Sequence, residues 1–343
     1  MGNQPPEAGI RVPPNALREF VQKLFVGGGM RDADALTMAE LLVATDLRGV
    51  VSHGTWQTLG YVRMMREGRV NPQPEIQVVT SRGATRVYDG DGGMGHLPSI
   101  QAARFIATAA REQGLAAATT GNHFHFGGAG KYSRMAAAEG CIGIAVSSHR
   151  WPRQGMILHA ANGASPMSIA FPARDQPPLV LDMATSFVGW SEEDFERVPF
   201  LYFKQLGLGA AAHAIGGILA GIWNADRIPP ASQWESNQGG FFAAFAVDAF
   251  MDEEEFLTQM DRFVRECRAA DPFPGHTQAE LPGNVEARLE IEYTRDGIPV
   301  SDEHREALET TAAEVGVESP LAEYDHTRFQ ESPTSSAADA SSS

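Results

Sequence analysis

The sequence predicts an α/β or α+β fold, and three features carry that expectation. Helical periodicity is clear near 15–26, 33–48 and 55–67. Short apolar runs of strand character follow, such as 115–120 and Cys141-Ile142-Gly143-Ile144-Ala145-Val146. Helices and strands then interleave through the rest of the chain.

The elements follow in order. Residues 1–13 and 327–343 are polar and low in complexity, and both are expected to be disordered. The stretch from Ser332-Pro333-Thr334-Ser335-Ser336 onward has no apolar area to bury. Three helices make an N-terminal part, 14–75, the third ended by Gly68. Strands at 76–80 and 85–88 flank a polar turn. A helix at 97–113 stops at Gly114, followed by a strand at 115–120, a His/Gly loop and a helix at 129–139. Strands are expected at 141–147, 167–171 and 178–182, then a small-residue helix at 209–223 and a strand at 241–248. These close a central part, 76–250. The helix at 252–269 is acidic in its first turn and basic near its end, which complements its dipole. A strand at 286–293 and a helix at 301–316 complete a C-terminal part, 251–326. No internal repeat is visible.

Composition narrows the function. With 343 residues, 43% of them hydrophobic, the chain can bury a sizeable core. A net charge of −16 argues against nucleic acid or an anionic membrane as partner. Lysine is confined to Lys23, Lys131 and Lys204, and the two cysteines, Cys141 and Cys267, supply no disulfide framework. No run of 18 apolar residues occurs, and the first residues lack a basic-then-apolar signal pattern. A cytoplasmic protein acting on a small molecule is the expectation.

Chemistry concentrates in a few places. Ser52 and His53 sit in a glycine-flanked turn after a helix, and imidazole can exchange a proton at neutral pH. Such a pair is catalytic or merely structural. Asp182 ends an apolar run, where a carboxylate can orient an imidazole or cap the helix that follows. In Gly121-Asn122-His123-Phe124-His125-Phe126-Gly127-Gly128-Ala129-Gly130, glycines between a strand and a helix let backbone N–H groups approach a ligand. His123 and His125 share the spacing of paired metal ligands, but a third ligand is missing and no metal is expected. Gly207-Leu208-Gly209-Ala210-Ala211-Ala212, with Asp226 downstream, imitates a dinucleotide fingerprint. The second strand of that motif is missing, so the small residues read as close helix packing.

Several motifs occur together and in order: Asp46-Leu47-Arg48-Gly49-Val50-Val51-Ser52-His53-Gly54, then Tyr61, Gly68 and Asn71-Pro72-Gln73-Pro74-Glu75-Ile76. His125-Phe126-Gly127-Gly128-Ala129-Gly130, Leu181-Asp182-Met183-Ala184-Thr185-Ser186, Gly240-Phe241-Phe242 and Leu281-Pro282-Gly283 come after them. From about 14 to 317 the chain thus resembles the malate/L-lactate dehydrogenase family. That family also holds ureidoglycolate, sulfolactate and piperideine-2-carboxylate oxidoreductases and is distinct from the Rossmann-type enzymes. The resemblance implies an L-sulfolactate dehydrogenase-like α/β fold with a mixed, largely antiparallel central sheet. It also implies a helical domain formed by both chain ends, and homodimers with active sites near the subunit interface. It implies an NADH- or NADPH-dependent oxidoreductase that reduces a carbonyl or imine, or oxidises the corresponding alcohol or amine. His53 would be the proton donor or acceptor, Ser52 its relay and Asp182 its orienter, while His125 polarises the reacting group. Arg48, Gln57 and His123 would bind substrate. Gly127, Gly128, Ser147, Ser148, Met183, Ala184 and Thr185 would line the cofactor.

The chain departs from the family at three points. Leu208 and Ala210 replace the Lys and Tyr of a glycine-rich turn, the connection from Ser186 to Leu206 is short, and Gln57 replaces an Arg. Glutamine cannot grip a carboxylate with two charge-assisted bonds as arginine does. A non-standard substrate is therefore expected. The alternative is a redox-silent member that reuses the acid/base residues as a lyase, isomerase or cyclase.

Overall fold

The computed structural model describes residues 5–151, 155–162, 165–225, 234 and 236–330. Strand β1 (Ala8–Val12) precedes helix α1 (Pro14–Gly27), which Pro14 opens and which buries Leu17, Phe20, Val21, Leu24 and Phe25 at helical spacing. After α2 (Asp32–Asp46), two 3-10 turns, Val51–His53 and Thr55–Gln57, lead into α3 (Thr58–Arg66). Then come β2 (Gln77–Arg82), β3 (Thr85–Asp89) and α4 (His96–Gln113), which ends at Gly114 with φ +84°. β4 (Leu115–His123), α5 (Gly130–Ala138), β5 (Cys141–His149), α6 (Ile157–Asn162), β6 (Pro166–Phe171) and β7 (Leu179–Ala184) follow. α7 (Glu192–Arg197) and α8 (Pro199–His213) run into a π-helical turn, Ala214–Ile218, before β8 (Gln238–Ala246) and α9 (Glu253–Arg268). The chain closes with α10 (Asn284–Asp296), β9 (Ile298–Val300), α11 (Asp302–Val315), a 3-10 segment Leu321–Thr327 and β10 (Phe329–Gln330).

Two compact units result, 1–63 with 288–343, and 64–287. Both chain ends build the first. There β1 pairs antiparallel with β9 on one side and β10 on the other. The expected disorder over 1–13 therefore fails at 8–12, and that over 327–343 fails at 327–330. Ile10 and Val12 are fully buried, but their partners lie near position 300, beyond the reach of any local pattern. Residues 1–4 and 331–343 lie outside the described residues.

A second correction concerns 286–293, expected as a strand and found inside α10. Charged and apolar residues alternate there with a period of two, which imitates a strand. Leu289 and Tyr293, four apart, are buried while Ile291 is exposed, and that is a helical face. α8 likewise starts at Pro199, ten residues before the expected small-residue helix, because proline at the first helical position is pre-set for it.

The second unit holds a seven-stranded sheet in the order β2-β3-β4-β8-β5-β6-β7. Only β3–β4 is parallel and the other five pairings are antiparallel. β4 and β5 both oppose β8, and β7 runs with β5, so β4, β5 and β7 end on the same edge of the sheet. His123, Gln238 and His149 share one row there. α4 and α5 pack on the sheet through a core that includes Ile106, Phe126, Tyr132 and Phe242. Among the described residues, no helix is long and apolar enough to cross a membrane.

Candidate active site

In the first unit the Ser-His turn is clamped from below. Asp46, the last residue of α2, is buried, and its Oδ2 accepts from the Thr55 backbone N–H at 3.0 Å and from the Thr55 hydroxyl at 2.5 Å. With that hydroxyl proton committed to a carboxylate, the Thr55 oxygen is the acceptor for His304 Nε2–H at 3.0 Å. Burial pushes the His304 pKa down to about 4, which keeps the ring neutral. A Cβ on Gly54 would lie 1.7 Å from Asp46 Oδ1, so only glycine admits this approach. Above the clamp, Ser52 Oγ and His53 Nδ1 are 2.9 Å apart on a half-buried turn. Gln57 Nε2 donates to the Ser52 carbonyl at 2.7 Å, and Arg48 pairs with Glu290 at 2.6 Å. The two residues expected to bind substrate here are thus engaged within the protein.

In the second unit, the other candidates gather on the shared sheet edge. His123 is buried with both ring nitrogens bonded. Nδ1–H donates to the Phe124 carbonyl at 2.7 Å, which leaves Nε2 to accept from Thr120 at 2.9 Å. His125 is half-buried and meets His96 edge-on, with ring centres 6.3 Å apart. Gly127 has φ +78°, and a Cβ there would stand 2.5 Å from His96 Nε2 and 2.8 Å from Lys131 Nζ. Asp182 Oδ2 accepts from Gly130 N–H at 2.8 Å, which caps α5 rather than the segment after β7. Although Asp182 keeps contact with solvent, partial burial of its carboxyl raises its pKa, while the Gly130 N–H, Arg134 and Lys131 pull it back.

The hydroxyls expected beside a cofactor brace the same edge. Ser147 Oγ donates to the Gly239 carbonyl at 2.7 Å, and Ser148 Oγ lies 2.8 Å from His213 Nδ1 and accepts from Ser165. Thr185 donates to the Ser165 carbonyl through both N–H and hydroxyl. Gly128 and Met183 are half-buried, and Ala184 is exposed on the edge strand β7. The dinucleotide-like run at 207–212 lies inside α8, where no phosphate-binding turn exists. Its acidic residue, Asp226, lies outside the described residues. Close packing accounts for the small residues that follow, since a Cβ on Gly216 would press on the Ser147 backbone at 2.9–3.1 Å. Among the described residues, no three His, Cys, Asp or Glu side chains are grouped to hold a metal ion.

The sequence profile of malate/L-lactate dehydrogenase matches residues 12–194 and 195–309. The chain belongs to the malate/L-lactate dehydrogenase family. It is 29% identical to malate dehydrogenase of Pyrococcus horikoshii, over 90% of this chain and 96% of that protein. It is 27% identical to L-sulfolactate dehydrogenase of Methanocaldococcus jannaschii, over 84% and 92%. The solved structure of the Pyrococcus horikoshii malate dehydrogenase superposes with a TM-score of 0.79 at 28% identity, covering 92% of this chain and 98% of that one. Malate/L-lactate dehydrogenase membership makes the protein an enzyme of the dehydrogenase class, with the non-Rossmann fold that the resemblance implied.

Sequence reasoning missed Lys131, His96 and His213 as members of these clusters. Lys131 carried a signal, since it is one of three lysines and falls one residue after the glycine run. His96 and His213 sit in ordinary helical sequence, and only the fold brings them to the sheet edge.

Proposed function

We propose that this protein is a nicotinamide-dependent oxidoreductase that interconverts an alcohol and a carbonyl, or an amine and an imine. The observation that carries the proposal is the Ser52–His53 pair at 2.9 Å on a turn fixed by Asp46, Thr55 and Gln57. A rigid mount of this kind suits a group that must hold one orientation through a proton transfer. With Nδ1 tied to Ser52, Nε2 is the nitrogen that exchanges the proton with the substrate oxygen or nitrogen. His125, half-buried beside the glycine loop, polarises the reacting group. Asp182 fixes the start of α5 and with it the loop that carries His125.

The loop fits a nicotinamide cofactor. Gly127 turns the loop with φ +78°, Gly128 beside it is half-buried and carries no side chain, and Met183 and Ala184 lie on the edge strand β7. NADH or NADPH would be held by these four residues, backed by the bonded hydroxyls of Ser147, Ser148 and Thr185. When bound, the cofactor supplies or accepts the reducing equivalent. Two relatives are named for malate and sulfolactate, whereas the uncharged Gln57 and the Glu290-paired Arg48 point to a different substrate for this chain.

A homodimer is part of the proposal. Ile157, Phe200, Phe203, Ile218, Leu219 and Trp223 expose apolar area of the kind that protein contacts cover. Both cysteines are free, which supports a reducing, cytoplasmic setting. The decisive experiment is titration of the purified protein with NADH and NADPH, followed by fluorescence. Binding of either one supports the oxidoreductase. Failure of both at millimolar concentration overturns it and favours redox-silent acid/base chemistry.

A further inference from the structure

The loop that carries His125 leaves β4 through an irregularity. Along β4 and β8, Thr120 pairs with Gly240 and His123 pairs with Gln238. Three steps along β4 thus match two along β8, so β4 carries one extra residue, a β-bulge. Residues three apart in a regular strand lie on opposite faces. Thr120 and His123 nevertheless share a face here and bond at 2.9 Å. Asn122 lies within the bulge with a left-handed backbone, φ +52°, which asparagine tolerates better than most residues that carry a side chain. Among the described residues, only Asp91 shares that backbone outside glycine, and it belongs to the same network.

Both ends of the Asn122 amide are held. Nδ2 donates to Asp89 Oδ1 at 2.8 Å, and Oδ1 accepts the Ser236 hydroxyl at 2.7 Å. Asp89, the last residue of β3, takes the Asp91 N–H on the same oxygen at 2.8 Å. Asp91 Oδ2 in turn accepts from Asn71 Nδ2 at 3.1 Å and from the Glu75 N–H at 3.0 Å. Backbone rungs carry the register on to His125. The Gly92 N–H donates to the Asn122 carbonyl at 2.8 Å, the Phe124 N–H to the Gly93 carbonyl at 2.8 Å, and the Gly95 N–H to the His125 carbonyl at 3.0 Å. The two loops meet this closely because Gly90 lacks a Cβ, which would stand 2.7 Å from that of His123. A slip of one residue exchanges the faces of everything that follows, so the bulge decides which histidine is buried. His123 is buried and His125 half-buried. We propose that Asn122 is a positioning residue of the active site: its left-handed backbone and its bond to Asp89 hold the register that buries His123 and presents His125 to the substrate.

The role rests on the oxidoreductase function proposed above, in which His125 polarises the reacting group, and one experiment separates the two. Full-length protein is footprinted with diethyl pyrocarbonate and read histidine by histidine in the mass spectrometer. Turnover of malate, lactate and pyruvate and binding of NADH and NADPH are measured beside it. Asn122→Gly keeps the backbone conformation, Asn122→Val forbids it, and Asn122→Asp sets a carboxylate against Asp89. Adding Asp89→Asn to Asn122→Asp restores the donor–acceptor pair with its roles reversed. In wild type His123 should be protected, as should His213 and His304, which are also buried. Asn122→Val and Asn122→Asp should make His123 reactive and leave His213 and His304 protected. Turnover should fall by about 10²-fold, the scale of a misplacement of about 1 Å. Asn122→Gly should keep His123 protected, and the Asn122→Asp, Asp89→Asn pair should recover both protection and most of the turnover. If Asn122→Val fails to fold by circular dichroism, Asn122→Asp and its rescue carry the test. A protected His123 in Asn122→Asp overturns the proposal, as does unchanged turnover with His123 exposed. Exposure of all three histidines together also overturns it, because Asn122 would then serve folding in general. Wild type that binds neither nucleotide, with the His123 pattern as expected, upholds the register and overturns the oxidoreductase function instead.

Discussion

The carboxylate of Asp182 accepts the backbone N–H of Gly130 at 2.8 Å, so the edge strand β7 holds the start of α5. Two motifs fifty-two residues apart are thereby locked into one arrangement. A side chain at Gly130 would displace that carboxylate, since a Cβ would lie 2.5 Å from the same Asp182 oxygen. The relationship gives Asp182 a double role: it caps a helix and sets the charge beside Lys131 and Arg134.

The two roles separate by substitution. Asp182→Ala should cost about 1 kcal/mol of stability, the usual worth of a helix cap. Asp182→Asn keeps an oxygen for the Gly130 N–H, so its melting temperature should stay near wild type while turnover falls. Thermal melts and steady-state kinetics on both variants check this. Equal destabilisation by Asn and Ala, with turnover intact, would mean that the charge matters for folding alone.

For the Ser-His turn, function and support lie on adjacent residues. His53→Ala should lower turnover by roughly 10²–10⁴-fold, the range for a lost acid/base group, with little change in melting temperature. Gly54→Ala should do the opposite in kind. Its new methyl would overlap the Asp46 carboxyl, and overpacking a buried site costs typically about 1–3 kcal/mol. Circular dichroism melts beside activity assays distinguish the two. A His53→Ala enzyme with near-normal turnover and an unchanged pH profile would make the turn structural.

Legibility in the sequence followed the range of the interactions. α1 was readable because its buried residues recur at helical spacing, α9 because its first turn is acidic and its last basic, and α4 has a clear stop at Gly114. β1 was invisible because its partners lie some three hundred residues away. α10 was misread because Glu286, Arg288, Glu290 and Glu292 alternate with apolar residues. Among the site residues, Ser52 and His53 announce themselves as a motif. The burial of His123 depends on Thr120 and on the fold of its loop. The convergence of His96 and Lys131 depends on two helices meeting at one glycine, which no one-dimensional pattern encodes.

Gln57 is a brace in this structure, because its amide donates to the Ser52 carbonyl at 2.7 Å. Gln57→Leu should lose that bond, at about 1 kcal/mol, and lower turnover through a looser Ser52–His53 turn. Gln57→Arg keeps a donor and adds a charge, so it should impair the native substrate and improve activity on simple keto acids. A panel of malate, lactate, pyruvate and cyclic imino acids with wild type and both variants is the measurement. Turnover of small keto acids by wild type with kcat/KM on the order of 10⁴ M⁻¹s⁻¹ or above would show that position 57 does not set the substrate.

Acid should weaken the first unit through His304. Burial holds its folded pKa down at about 4, whereas in the unfolded chain it titrates near the ordinary value of about 6.5. Between those values the unfolded chain binds a proton that the native protein does not. Stability therefore rises with pH across this window, is complete above about 6.5, and is lost progressively as pH falls toward 4. A gap of that size is worth on the order of 3 kcal/mol. The loss is felt at the site because His304 donates to Thr55, which in turn is tied to Asp46 under the Ser-His turn. Urea unfolding at pH 7, 6 and 5 should show a falling midpoint for wild type. His304→Gln carries an amide donor that does not titrate, so it should flatten that dependence. A variant whose midpoint falls as steeply as wild type would assign the acid sensitivity to another group.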